Sequence, residues 1–191
     1  SSAASDVYKR QQMFRYTNSF KEARFLRAYF YFNLVRAYGD VPYFTEMVTT
    51  DQVNSLTRTP AQEIFNAIIA ECDKLSTELP ADYTKLGLDG IAPAENGRVT
   101  CYAALALKAR AALYAASPLF NPENNKDLWR RAAEANKEVI ETCTANGFKL
   151  SKYSELWGPN NWSNNEMIFV RRYNGNISTL EEYNFPMGVP G

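Results

Sequence analysis

The chain has 191 residues, 46% hydrophobic and 22% charged, enough for one sizeable core and hardly two. Lysine plus arginine and aspartate plus glutamate balance at 21 each, so no strong net field draws it to nucleic acid or anionic lipid. Histidine is absent, and with it the commonest general base, the commonest metal ligand and every Ser-His or Cys-His nucleophile pair.

The first helix is predicted over residues 19–38, with Asn18 or Ser19 as N-cap. Phe25, Tyr29 and Phe32 form one stripe, Leu26, Phe30, Leu34 and Ala37 a second, and Arg24, Arg27, Tyr31 and Tyr38 a third. Only Glu22 and Asn33 mark a narrow polar gap. A helix apolar on almost every side is expected to be sandwiched between neighbours. Gly39 can supply the left-handed residue that ends it, Pro42 bars continuation, and Tyr43-Phe44 follows as an extended strip.

A polar loop, TTDQVNSLTRTP, leads to a second helix over 60–79. Thr59 is its natural N-cap and Pro60 its first residue; Ile64, Phe65, Ile68, Ile69, Cys72 and Leu75 give it an i, i+3, i+4 period. Residues 81–97 are turn-rich and read as a long connection. The third helix, 100–116, carries eight alanines between 103 and 116, which lets a neighbour approach closely before Pro118 ends it.

Asp127 is expected to cap a fourth helix over 127–145, with Leu128, Trp129, Ala132, Ala133, Ala135, Val139 and Ile140 inward and Asn146-Gly147 as its stop. Residues 148–191 read as largely irregular, rich in Asn, Trp and Gly, with one strand-like run, Met167-Ile168-Phe169-Val170. Cys72, Cys101 and Cys143 lie far apart inside helical patterns, without any C-x-x-C, and read as small buried hydrophobes. No run of about 18 apolar residues is present to span a bilayer.

Leu26-Arg27-Ala28 aligns with Leu107-Lys108-Ala109, and Ile68 and Leu75 match Ala133 and Ile140. Two helical hairpins of one pattern, with small residues where helices cross, suggest a tetratricopeptide-like (TPR) stack over 19–145. A plain four-helix bundle is the rival.

Four collinear stretches carry a closer likeness: EARFLRAYFYFNLVRAYGDVPYFTE, RTPAQEIFNAIIAECDKLSTELP, GRVTCYAALALKARAALYAASPLFN, and NNEMIFVRRYNGN with NFPMG after it. Together they resemble the SusD/RagB family of outer-membrane nutrient-binding lipoproteins. The resemblance implies a mainly α fold of TPR-like hairpins with a loop-rich segment from 146 to 191. All 191 residues then form part of one SusD-like domain, an excerpt of a longer protein. The signal peptide, lipid-anchor cysteine, first helices and C-terminal half would lie elsewhere. It further implies a non-catalytic protein at the cell surface, lidding a SusC-like TonB-dependent transporter and capturing oligosaccharide or, in some members, peptide. No cofactor, metal or nucleic acid is expected, and membrane attachment only through a lipid anchor outside this stretch. Cys72 does not suit that anchor, because the bulky Glu71 precedes it where a small residue is needed.

Arg24 and Arg27 could reach a ligand, but arginines on a buried helix more often pair with a carboxylate and pack their stems, and Asp40 is one candidate partner. Glu181-Glu182 are adjacent, whereas glycosidase carboxyls face each other across a bond from separate elements. The expected ligand contacts are Trp157, Trp162, Tyr173, Tyr183 and Asn161, set among further asparagines. Flat rings stack on the C–H faces of a sugar, and amides meet its hydroxyls. Each ring could equally pack its own loop down. A groove between the helices that holds a peptide or partner protein is the alternative reading.

Overall fold

The computed structural model describes residues 2–83, 97–156 and 164–170; for 2–8 and 10–12 it describes the backbone alone. The elements are α1 (Ser2–Tyr38), α2 (Thr50–Val53), α3 (Ala61–Glu78), α4 (Cys101–Ala116), α5 (Lys126–Ala145) and a single 3₁₀ turn, Tyr153–Glu155. Among the described residues the fold is all helical. α1 packs on α3, α3 on α4 and α4 on α5, with a lighter contact between α1 and α4. α1 and α5 stand at opposite ends of the series, as in a TPR-like stack of two hairpins and unlike a closed bundle.

α1 starts well before the expected cap. Thr17 Oγ1, Asn18 Nδ2 and Ser19 Oγ donate to the carbonyls of Met13, Phe14 and Arg15, four residues back. Polar side chains satisfied within the helix surface have no need to end it. At the other end Gly39 takes φ +70°, and its N–H reaches Val35 O at 2.9 Å. The chain then turns back on α1. Tyr31 Oη both donates to Phe44 O and accepts from Phe44 N–H at 3.1 Å, while its ring meets Tyr43 edge-on at 4.7 Å.

The next residues tie two helices together. Asp40 Oδ1 accepts from Ala61 N–H at 2.8 Å, satisfying a free donor at the start of α3. Thr59, expected to cap α3, instead donates its N–H to Val41 O at 3.0 Å in an isolated antiparallel bridge. Asp40→Ala is therefore expected to lower stability by about 1 kcal/mol, as loss of an N-cap does, measured by urea denaturation. The loop between holds the one-turn α2, where Gln52 Oε1 accepts from Thr49 N–H.

Arg24 and Arg27 pair with carboxylates, but not with Asp40. Arg24 Nε and Nη1 lie 2.6 Å from Glu71 Oε1 and Glu78 Oε2, and Arg27 donates to Thr45 O at 2.9 Å. The Arg24 hydrogen bond, outweighing the opposing effect of burial, holds the Glu71 carboxyl below its ordinary pKa. A lowered folded pKa contributes stability that is complete above the unfolded glutamate value and lost as pH falls through the folded one. The acid limb of the stability profile is expected to flatten in Glu71→Gln, read as urea midpoints against pH.

The main core joins α1, α3 and α4 through Phe25, Phe32, Val35, Ile64, Phe65, Ile68, Leu75, Leu107 and the small Ala104 and Ala111. Cys72 is buried within it, and burial pushes its thiol pKa up to about 12, in keeping with an unreactive core residue. A second cluster of Ala109, Ala112, Ala116, Ala132 and Ala135 forms the α4–α5 crossing. Asn136 Nδ2 donates there to Ala132 O at 2.8 Å and Ala109 O at 3.4 Å. Ala109→Leu or Ala112→Leu is expected to overpack this crossing and cost about 1–3 kcal/mol, seen as a lowered urea midpoint.

α5 departs from expectation at two points. Asn125 is its cap, its Oδ1 accepting from Asp127 N–H at 2.9 Å, so Asp127 lies in the first turn, two residues past the cap. Trp129 (39% exposed), Ala133 and Ile140 (66% exposed) face outward rather than inward. The alanine crossing is narrow, so only a thin stripe of Ala132, Ala135 and Cys143 is buried fully. The 167–170 run is bent, not a strand: Ile168 packs on the main core, and Phe169 meets Phe25 edge-on at 5.5 Å.

α1 also fails to be sandwiched. Phe25, Ala28, Tyr31, Phe32 and Val35 are buried, but Leu26, Phe30 and Leu34 are exposed, Phe30 at 59%. No described residue covers that side.

Candidate functional site

Trp157, Trp162, Tyr173, Tyr183 and Asn161 lie outside the described residues. The residues that flank 157–163 are described. Asn164, immediately after it, accepts at Oδ1 from Ser151 Oγ (2.6 Å) and from Glu166 N–H (2.8 Å). Glu166 Oε2 in turn accepts from Ser151 N–H at 2.9 Å. This asparagine serves to fold its own turn.

From that turn the chain runs along α1 and α4 and borders a cleft of about 440 Å³. The floor is Ala103, Ala106 and Leu107 of α4; Phe25 and Tyr29 of α1 form one wall and Met167 to Val170 the other. Phe25 and Tyr29 stack with ring centres 6.4 Å apart and 14° between planes. Arg110 is exposed at the margin. Among the described residues the lining is mostly apolar, with Arg110 and Glu166 as its charged side chains and neither a pair of facing carboxyls nor a nucleophile beside a base. Among the described residues there is no cluster of histidine, cysteine or acidic side chains able to hold a metal, and no helix long and apolar enough to cross a membrane.

Sequence reasoning saw Phe25 and Tyr29 as apolar stripe residues. It missed that 164–170 would dock beside them, because that contact joins segments far apart in sequence. The continuous apolar run Met167-Ile168-Phe169-Val170 was the available signal. It missed Arg110 because an exposed arginine in an alanine-rich helix has no local mark.

A second cluster fixes α1 to the segments flanking 84–96. Arg98 grips Glu22 with both arms, Nε–Oε1 at 2.7 Å and Nη2–Oε2 at 2.8 Å. Tyr83 Oη lies 2.8 Å from Val99 O and 3.0 Å from Glu22 Oε1, its single proton shared between them, and Arg98 stacks over its ring at 5.1 Å. The Glu22 carboxylate and the Arg98 guanidinium pair with each other, which marks a structural clamp.

Comparison with known proteins follows the helices. Residues 4–113, more than half of the chain, match the family model SusD-like_3, described as starch-binding associating with outer membrane. SusD-like protein P25 of Formosa agariphila is 25% identical over 149 residues, 78% of this chain and 24% of that protein. A SusD-like protein from Bacteroides fragilis superposes with a TM-score of 0.62 at 28% identity, over 82% of this chain and 27% of its own. A SusD-like carbohydrate-binding protein from the same species gives 0.61 at 28% identity, over 80% and 26%. The chain thus spans about a quarter of the length of these relatives. With the family's helices matched in order and its stacked hairpins present, the chain belongs to the SusD-like (SusD/RagB) family.

Proposed function

We propose that this protein is a non-catalytic binding component at the outer surface of the outer membrane, which captures oligosaccharide and passes it to a SusC-like TonB-dependent transporter. The observation that carries the reading is the family match over residues 4–113, whose description joins starch binding to the outer membrane. The Bacteroides fragilis relative named as carbohydrate-binding, at 28% identity, supports the same ligand class. The ligand contacts we assign to Trp162 first, then Trp157, Tyr173, Tyr183 and Asn161. The helices 19–145 are scaffold and the segment from 146 to 191 carries the contacts. A lipid anchor outside this stretch would hold the protein at the membrane.

A peptide-holding groove is the less favoured reading. The side of α1 and α4 where a peptide would lie is already lined by the chain's own Met167 to Val170, and what remains open there is mostly apolar. Immobilised full-length protein should retain members of an oligosaccharide panel and ignore peptides of matched size. Retention of peptides with no glycan bound would reverse the assignment.

A further inference from the structure

Antiparallel pairing sets α4 and α5 in a fixed register. Asn136 Nδ2 of α5 lies 3.4 Å from Ala109 O of α4, and Lys108 Nζ lies 2.8 Å from Glu138 Oε2. Two helical turns take about seven residues. Two turns back from Lys108 stands Cys101, the first residue of α4; two turns on from Asn136 stands Cys143, in the last turn of α5. Each thiol thus shares a helix face with a residue that reaches across the seam, and the two stand at one level. The rings of Tyr102 and Phe148, edge-on at 4.9 Å, join the same two helix ends. Alanine lines the crossing and keeps the backbones close. A disulfide needs that closeness, its Cα atoms lying about 4.4–6.8 Å apart.

The electrostatics agree with this placement. Burial raises the pKa of the Cys101 thiol, the backbone N–H groups of Tyr102 and of Cys101 itself oppose the rise, and the nearby charge of Cys143 adds to it. Cys101 is half-buried and Cys143 buried. Cys72 adjoins Asp73, the other partner of Lys108, and so lies about two turns from the pair.

We infer that Cys101 and Cys143 form a redox-sensitive pair that closes into a disulfide and staples the base of the α4–α5 hairpin. The oxidant is a soluble disulfide. The thiolate of Cys101, the more accessible of the two, attacks one of its sulfurs, forming a mixed disulfide and releasing one thiol. The thiolate of Cys143 then attacks Cys101 Sγ and expels the second. Two protein thiols are oxidised, the S–S bond of the oxidant is reduced, and the two protons pass to the departing thiolates. The staple lies where the chain leaves the helices, since Phe148 N–H donates to Cys143 O at 3.0 Å. It would anchor the start of the segment proposed above to carry the ligand contacts. Only this consequence, and an oxidising setting outside the cell, rest on that proposal.

Full-length protein, freed of reductant and incubated with oxidised glutathione at mildly alkaline pH, tests the pairing. Peptide mass mapping is expected to find Cys101 joined to Cys143 and Cys72 free, with a urea midpoint above that of the reduced protein. Cys143→Ser is expected to stop at a glutathione adduct on Cys101, and Cys101→Ser to leave Cys143 free, with no rise in midpoint for either. Should a variant fail to fold, the map of the unmodified protein still answers. Both thiols free after oxidation of the native protein, an adduct that persists on Cys101, or a link to Cys72 would overturn the inference. So would a Cys101–Cys143 link that leaves the midpoint unchanged. None of these outcomes reads glycan binding, so the proposed function stands or falls by its own titration.

Discussion

Phe65→Ala is expected to destabilise the protein by about 3–5 kcal/mol, a large part of the ~5–15 kcal/mol that holds a typical domain folded. The ring is fully buried where the two hairpins meet. It lies edge-on to Phe32 of α1 at 6.4 Å and to Phe120, just past α4, at 5.0 Å. Truncation removes both ring contacts and leaves a cavity at the junction of three helices. The neighbours cannot simply close it, because Gln62 Nε2 pins the carbonyls of Ala115 and Phe120 at 2.7 Å each. Urea denaturation of the full-length protein reads the loss, and Phe65→Leu, which refills most of the space, should recover more than half. A change near zero for Phe65→Ala would mean that the hairpins do not meet through this ring.

Local chemistry explains which parts of this architecture were legible in the sequence. α3 and α4 begin and end within a residue or two of their expected bounds, because proline and threonine punctuate them and their apolar period is regular. Gly39 and Gly147, both at positive φ, mark helix ends where the sequence placed them. Tertiary partners were not legible. Glu71 and Glu78 as partners of Arg24, and Asp40 as the cap of α3, depend on how helices are laid side by side, which no local pattern encodes. Ile140 and Trp129 fit an apolar period, but among the described residues α5 lies chiefly on α4, and a small alanine seam buries less than the period allows. On α1 the all-round apolar surface pointed to neighbours on both sides, whereas the described residues cover one side alone.

The candidate site divides in the same way. Tyr29 and Phe25 were visible as a stripe, while the docking of 164–170 beside them was not. The rings proposed to contact sugar follow from composition, aromatic side chains set among amides, and composition carries no geometry. Their proposed assignment therefore stands on sugar chemistry alone, while membership of the family bears on the class of ligand.

Calorimetric titration of Trp162→Ala in the full-length protein tests the proposed capture of glycan most directly. Losing a central stacking ring commonly removes ~2 kcal/mol or more of binding free energy, at least about a twentyfold rise in Kd. Trp129 serves as the control, since its indole N–H is held by Asn124 Oδ1 at 3.2 Å on a scaffold helix far in sequence from the Asn-rich segment. The account predicts that Trp162→Ala weakens binding of the best oligosaccharide by that factor with its melting temperature unchanged, while Trp129→Ala leaves affinity intact. Unchanged affinity with a large fall in melting temperature for Trp162→Ala would contradict it, marking the ring as the plug of its own loop.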